Sequence, residues 1–291
     1  MKNILAIVLV GLFVFSCKKD KSEPTFKHSP IPSDITKTFE QKGDEDSDTV
    51  WIYVQGGPTE QREYALVDTY SDGSDVYPFF TDDLMIFPYQ AQHLDKTIAT
   101  SELFNFEDAK EESEKTAEIV VNIANHFTSK NKVVYIIGHS FGSLVVHEIL
   151  AKFGNPARKM LSLNGRMDMD EVVWKGFSKG EEWLFDNSGL NPMLNTGAVS
   201  TLEEKNMRKL AAGLGHNRYT ELFANRAGLD LSNVLFLTAE DDEYVGDYTQ
   251  KSLDYLGAKA EQMLVLPKAG HSDVFIPSIL KSLHDLIIKN D

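Results

Sequence analysis

The chain has 291 residues, of which 42% are hydrophobic, so it can bury a sizeable core in one large domain or two modest ones. Its net charge of −15 would repel nucleic acid and anionic membrane surfaces, so we expect neither as the main partner. The single cysteine excludes an internal disulfide. Because the sequence contains neither an H-E-x-x-H motif nor a Cys/His cluster, we expect no metal and no cofactor.

The amino terminus has the pattern of a secretory signal. Lys2 precedes an apolar run, Ile4–Phe15, that is shorter than the roughly 20 residues a spanning helix needs. The tetrapeptide V-F-S-C at residues 14–17 resembles the lipobox of bacterial lipoproteins. This resemblance implies a signal peptide over residues 1–16 and acylation of Cys17. A plain signal peptide or short anchor with an incidental cysteine is the alternative.

The residue after the cysteine bears on the cellular location. Lys18 stands where an aspartate would signal inner-membrane retention in such lipoproteins. The resemblance therefore favours a lipid anchor in a bacterial cell envelope, at the outer membrane. Residues 17–48 are polar and contain three prolines, so we predict a lipid-anchored tether and linker. Within them, residues 35–40 could form one edge strand.

Apolar runs typical of buried strands recur along residues 49–291. They lie at residues 50–54, 84–87, 133–137, 159–163, 233–237 and 263–266. A segment with helical spacing, residues 105–129, precedes the third run and is predicted to be a crossover helix. Strands and helices that alternate in this way predict an α/β domain with a mostly parallel central sheet flanked by helices.

Candidate functional residues follow several of these strands. The third strand runs through G-H-S-F-G, residues 138–142, into an apolar helix. The pattern resembles the nucleophile elbow, a strained strand-to-helix turn. This resemblance implies that the serine backbone is forced into an unfavourable region and that a side chain at either flanking glycine would collide with the neighbouring strand or helix. The bare G-x-S-x-G pattern arises by chance in about one chain in ten of this length. The surrounding strand and helix therefore carry more weight than the motif alone.

A long insertion separates the fourth and fifth runs. Residues 167–230 show no predicted strand, only helix-like segments with large apolar side chains. Such side chains either line an apolar pocket or attach the insertion to the sheet, and both interpretations remain open. They are Trp174, Phe177, Trp183, Leu184, Phe185, Tyr219 and Phe223.

Over about residues 50–290 the chain resembles the α/β-hydrolase superfamily. The resemblance depends on the G-H-S-F-G turn, the Q-G-G-P loop at residues 55–58, the acidic loop at residues 239–245 and the late histidine His271. It implies the α/β-hydrolase fold with a shortened amino-terminal edge and a helical cap at about residues 167–230.

The resemblance also implies roles for these residues. Ser140 would be the nucleophile and His271 its base, in the superfamily's order of serine, acid and histidine. The acid would be Asp242, which fits the spacing from Ala239 to Val245 in family members, with Asp241 as the second candidate.

The oxyanion hole would come from two backbone amides. The amide of Phe141 would supply one donor. The Q-G-G-P loop would supply the other from Gly57, with Gly56 as second candidate. Gln55 departs from the family, which often has histidine at this position.

The implied activity is hydrolysis of a carboxylic ester in a small-molecule acyl substrate. Two alternatives remain. The Gly-Gly-Pro loop is similar to that of the prolyl aminopeptidase group, so the first alternative is a peptidase. A lipoprotein that keeps the fold and binds its ligand without cutting it is the other. A further loop histidine, His93, lies after the second strand and could contact substrate or lie at the surface.

Overall fold

The computed structural model describes residues 24–64, 80, 82–186, 188–260 and 262–289. The predicted signal peptide at residues 1–16 and the predicted acylation site Cys17 lie outside these residues. Within the described ranges, no helix is long and apolar enough to cross a lipid bilayer.

The sheet has seven strands and is mostly parallel. Among the described residues, the strands are β1 (Phe39–Gly43), β2 (Thr49–Val54), β3 (Leu84–Pro88), β4 (Val133–His139), β5 (Lys159–Leu163), β6 (Trp183–Phe185), β7 (Pro192–Leu194), β8 (Val234–Ala239) and β9 (Gln262–Leu266). In space the sheet runs β1-β3-β2-β4-β5-β8-β9, and β1 is antiparallel to β3. The predicted mostly parallel α/β sheet is confirmed.

Helices cover both faces of this sheet. They are α1 (Ala91–Leu94), α2 (Thr97–Thr100), α3 (Phe106–Thr128), α4 (Phe141–Lys152), α5 (Glu171–Phe177), α6 (Leu202–Gly215), α7 (Tyr219–Asn225), α8 (Gln250–Gly257) and α9 (Pro277–Lys289). Helix α3 begins where the sequence predicts, because the Asn105 side chain caps the amides of Glu107 and Asp108.

Two apolar layers enclose the sheet, as β2 illustrates. Side chains alternate along a strand, so Val50, Ile52 and Val54 pack on one face against α3 and α4. Trp51 and Tyr53 pack on the opposite face, in the cluster that includes Leu280 and Leu283 of α9. This burial on both faces explains why the strand reads as an uninterrupted apolar run.

The register of the sheet brings the strand ends together. Val54 pairs with Gly138, His139 pairs with Leu163, and Leu163 pairs with Leu237. The loops after β2, β4, β5 and β8 therefore leave the sheet at the same edge. Carboxyl edges of parallel sheets are the usual position of ligand sites.

The described part of the insertion between β5 and β8 contains the helices α5, α6 and α7 and one hairpin. Its strands β6 and β7 are antiparallel, with Trp183 opposite Leu194 and Phe185 opposite Pro192. The prediction that residues 167–230 contain no strand is therefore wrong. Each strand has only three residues, which is too short for the period-two pattern that reveals a strand in sequence.

Part of the predicted linker belongs to the packed domain. Phe26 is buried in a cluster with Ile98, Phe104 and Met207. His28 lies 2.6 Å from the Glu112 carboxylate of α3, and β1 is the edge strand of the sheet. Phe26 and His28 thus contact the domain, and the edge strand expected at residues 35–40 lies at Phe39–Gly43.

Candidate active site

Ser140 sits in a strained turn between β4 and α4. Its backbone has φ 55° and ψ −116°, which is an unfavourable region for a residue with a side chain. The Ser140 amide donates to the Leu163 carbonyl at 2.9 Å, and its carbonyl accepts from the Ser143 amide at 2.9 Å. The Ser143 hydroxyl lies 2.8 Å from the Gly138 and Leu163 carbonyls. These bonds hold the serine at the sheet edge.

The two glycines of the G-H-S-F-G turn are required by close backbone approach. A Cβ on Gly138 would lie 2.2 Å from the Gly142 carbonyl oxygen. A Cβ on Gly142 would lie 2.0 Å from the Val54 carbonyl oxygen of the neighbouring strand. The collisions expected from the sequence are therefore present, one with the following helix and one with a strand.

Asp242 and His271 meet after β8 and β9. Asp242 is fully buried, and its carboxylate oxygens lie 2.7 and 2.9 Å from His271 Nδ1. The amides of Tyr244 and Val245 donate to the same carboxylate at 3.0 and 2.9 Å. Asp242 is thus oriented by its own loop and holds one nitrogen of the imidazole.

Asp241, the second candidate for the acid, has a different position. Its amide donates to the Ala269 carbonyl at 2.9 Å. Of the two neighbouring aspartates, the structure brings only Asp242 into contact with His271.

Ser140 and His271 line one cavity of about 320 Å³ between the sheet edge and the insertion. This volume is at the lower end of the range for small-molecule sites. The sheet side of the wall is formed by Gly56, Gly57, Glu63, His139, Phe141, Gly165 and Arg166, and the insertion contributes Met169, Phe177, Glu182, Trp183, Arg208 and Ala211.

The glycines proposed for the oxyanion hole lie beside the serine. A Cβ on Gly56 would be 3.2 Å from Ser140 Cβ, so this loop runs directly past the turn. Gly57 has φ +107°, which glycine adopts without strain. Phe141 opens helix α4, and the first amides of a helix lack partners within it. The predicted donors Gly57 and Phe141 therefore share the cavity wall with Ser140.

The side-chain hydrogen bonds that support the glycine loop, residues 55–59, were not predicted from the sequence. The Gln90 side chain donates to the Gln55 carbonyl at 3.0 Å, and His93 Nε2 lies 2.9 Å from the Thr59 carbonyl. Gln55 in turn bonds the Gln61 carbonyl and the Glu63 amide, each at 2.9 Å. These side-chain hydrogen bonds hold the glycine loop in place. Gln55, which takes part in them, occupies the position where the family often has histidine.

His93 is bonded to the glycine loop and is not among the residues that line the cavity. Its Nδ1 accepts the Gln90 amide at 3.0 Å, which leaves Nε2 as the donor to Thr59. Burial lowers the pKa of His93 to about 4, so this neutral tautomer persists at neutral pH. In the sequence, this supporting role is indicated by the position of His93 shortly after β3, at the carboxyl edge of the sheet.

His139 is a second buried neutral histidine in the wall. Burial, together with the smaller effect of the neighbouring His271, lowers its pKa to about 3. Its ring packs 4.9 Å from that of His271 and 4.5 Å from that of Phe275, centroid to centroid. His139 thus supports the His271 ring without competing for a proton near neutral pH.

Only some of the insertion's aromatic residues reach the cavity. Phe177 and Trp183 line it. Trp174 instead stacks on Phe106 of α3 at 6.0 Å, and Tyr219 packs against His147 of α4. Both interpretations of the aromatic residues therefore apply, each to different members.

No protein-family model matches the sequence, and no curated protein matches it. Solved structures match over most of the chain. A lipase-esterase related protein from Clostridium acetobutylicum is 14% identical with a TM-score of 0.51, covering 87% of this chain and 98% of its own. The hydrolase of E-2-(acetamidomethylene)succinate is 14% identical with a TM-score of 0.55, covering 88% of this chain and 97% of its own.

A thermophilic esterase from Thermogutta terrifontis is similar to the same extent. It is 13% identical with a TM-score of 0.52, covering 86% of this chain and 92% of its own. The chain has the α/β-hydrolase fold. In this α/β-hydrolase fold, the described residues place one antiparallel strand, β1, on the edge that usually carries a hairpin. The predicted shortened edge is confirmed for the described residues.

Proposed function

We propose that this protein is a serine hydrolase that cleaves carboxylic esters of small acyl substrates. One observation carries the proposal. Ser140, on a strained turn, lines the same cavity as His271, whose Nδ1 is held by the buried Asp242. Solved proteins of this fold that are named as an esterase and a hydrolase lend support.

The proposed reaction has two steps. His271 Nε2 takes the proton of the Ser140 hydroxyl as its oxygen attacks the ester carbonyl, and the Gly57 and Phe141 amides bind the resulting oxyanion. The alcohol leaves with that proton and Ser140 is acylated. Water then attacks the acyl-enzyme with His271 as base, releasing the carboxylic acid and restoring the serine. Asp242 keeps the Nδ1 proton in place and stabilises the imidazolium.

Fluorophosphonate labelling tests the nucleophile directly. We expect a fluorophosphonate probe to modify the full-length protein at Ser140, because the reagent reacts with serines activated by a neighbouring base. Ser140→Ala should give no adduct by peptide mass spectrometry. Ser272→Ala, which changes another serine of the cavity wall, should still be labelled at residue 140. Folded wild-type protein that stays unlabelled would favour the non-catalytic binding alternative.

The substrate bond is tested separately. Wild-type protein should hydrolyse short-chain p-nitrophenyl esters and lose this activity in Ser140→Ala. We expect slow turnover of proline p-nitroanilide, since the G-H-S-F-G turn resembles those of esterases. Faster turnover of the anilide than of the esters would replace the esterase proposal with the peptidase alternative.

We further propose that Cys17 anchors the protein through acyl chains in a bacterial envelope, at the outer membrane. Multiple acyl chains give stable attachment. Phe26 is nine residues beyond Cys17 and can lie at most about 32 Å from it, so the domain would stay close to the lipid surface.

Replacing the cysteine tests the anchor. Cys17→Ala should lose incorporation of an alkynyl palmitate label and move from the membrane to the soluble fraction. Ser16→Ala, one position earlier, should keep both label and membrane association. Unchanged fractionation and labelling of Cys17→Ala would contradict the anchor, and separation of inner from outer membranes checks the location.

A further inference from the structure

Arg166 follows β5 and lines the cavity that contains Ser140. Its backbone position is closely constrained by Gly165, because a Cβ there would lie 1.9 Å from Ser143 Cβ. The Tyr248 hydroxyl also donates to the Gly165 carbonyl. The arginine is thus attached at a fixed point beside the serine turn.

The Arg166 guanidinium is half-buried and poorly satisfied. Its Nε is buried and has no hydrogen-bond partner among the described residues. Its Cζ lies 5.3 Å from the centre of the Phe185 ring. Asp168, Asp170 and Asp247 are near enough to attract it electrostatically, yet none forms an ion pair with it in the described part of the chain.

The other arginine in the wall is already neutralised. Arg208 forms an ion pair with Glu182 across the insertion. Glu63 is a further acidic group in the wall, and burial raises the pKa of its carboxyl. Among the described residues, Arg166 is therefore the arginine of the cavity wall that forms no ion pair, and it remains protonated at any working pH.

We infer that Arg166 binds a carboxylate of the substrate, so that the preferred ester is a monoester of a dicarboxylic acid. This inference rests on the proposed esterase function. A guanidinium matches a carboxylate through two parallel hydrogen bonds. The three nearby aspartates disfavour a dianion such as phosphate, and a cavity of about 320 Å³ suits a short diacid.

Binding to a catalytically inert variant tests the anion site without turnover. Ser140→Ala should bind succinate, glutarate or adipate by calorimetry, and adding Arg166→Met should weaken the tightest of them about tenfold or more. Arg166→Lys should fall between, since it keeps the charge and loses the planar fork. Lys175→Met removes an exposed cation of α5 and serves as the matched control, with affinity within about twofold.

Several results would overturn the inference. They are absence of binding by all three diacids, equal affinity with and without Arg166→Met in folded protein, and tighter Arg166-dependent binding of inorganic phosphate. Circular dichroism and thermal melts establish that each variant is folded.

Kinetics separate this inference from the proposed function. Monomethyl glutarate and its amide, methyl 5-amino-5-oxopentanoate, differ only in the distal group, which is a charged carboxylate in the first and an uncharged carboxamide in the second. Wild type should prefer the anionic ester, and Arg166→Met should reduce the ratio of the two kcat/KM values about tenfold or more. A ratio near one in wild type would overturn the inference while leaving the esterase intact. Loss of fluorophosphonate labelling would instead defeat the hydrolase, and the diacid titration would still decide the anion site.

Discussion

Asp242→Asn is expected to keep the protein folded and to lower kcat for a short-chain ester by about ten-thousand-fold. An asparagine oxygen can still accept the Tyr244 and Val245 amides, so the loop should keep its shape. The side chain would lose the charge that holds the Nδ1 proton of His271 and stabilises the imidazolium. Initial rates with p-nitrophenyl butyrate, together with circular dichroism, measure both parts of this result.

The neighbouring aspartate provides the matched control. Asp241→Asn makes the same chemical change one residue earlier, where the described contact is through the backbone amide to Ala269. Its kcat should remain within about threefold of wild type, as for a surface charge. A large loss in Asp241→Asn and a small one in Asp242→Asn would reverse the assignment of the acid.

Gly142→Ala is expected to destabilise the fold by about 3 kcal/mol. The added Cβ would lie 2.0 Å from the Val54 carbonyl oxygen and 2.8 Å from its carbon, and neither atom can move without shifting β2. The turn, the helix α4 and the glycine loop after β2 would all be displaced. Urea unfolding followed by circular dichroism gives the change in the free energy of unfolding.

Gly257→Ala is the control for this substitution. Gly257 is exposed at the end of α8, and a Cβ there would meet no heavy atom within 4 Å. Alanine also has the higher helix propensity, so we expect a change of at most about 1 kcal/mol, toward greater stability. Gly142→Ala with the unfolding midpoint of wild type would show that the turn tolerates a side chain.

Much of the fold follows from local patterns. Strands such as β2 and β4 are buried on both faces, so their continuous apolar runs are visible without any knowledge of their neighbours. The long helix α3 carries its own cap at Asn105 and an apolar stripe, which set its position. The serine turn is equally local, because its strain requires glycines on both sides.

Contacts between distant segments are less visible. The hairpin β6–β7 is too short for a pattern, and Phe26 packs against Phe104 although its surroundings read as a linker. Gln90 and His93 bond to backbone carbonyls of the glycine loop. Every residue type has such a carbonyl, so the sequence of the loop does not reveal these bonds. Such contacts depend on where the backbone passes in space.

The sequence by itself determined the six apolar strands at residues 50–54, 84–87, 133–137, 159–163, 233–237 and 263–266, the glycine-flanked Ser140 and the late position of His271, because each depends on residues close in the chain. Only the tertiary structure showed that Asp242, rather than Asp241, contacts His271, and only it placed Arg166 in the cavity wall. Both outcomes depend on the direction in which a side chain leaves its loop. That direction is set by the packing of β5, β8 and β9 side by side.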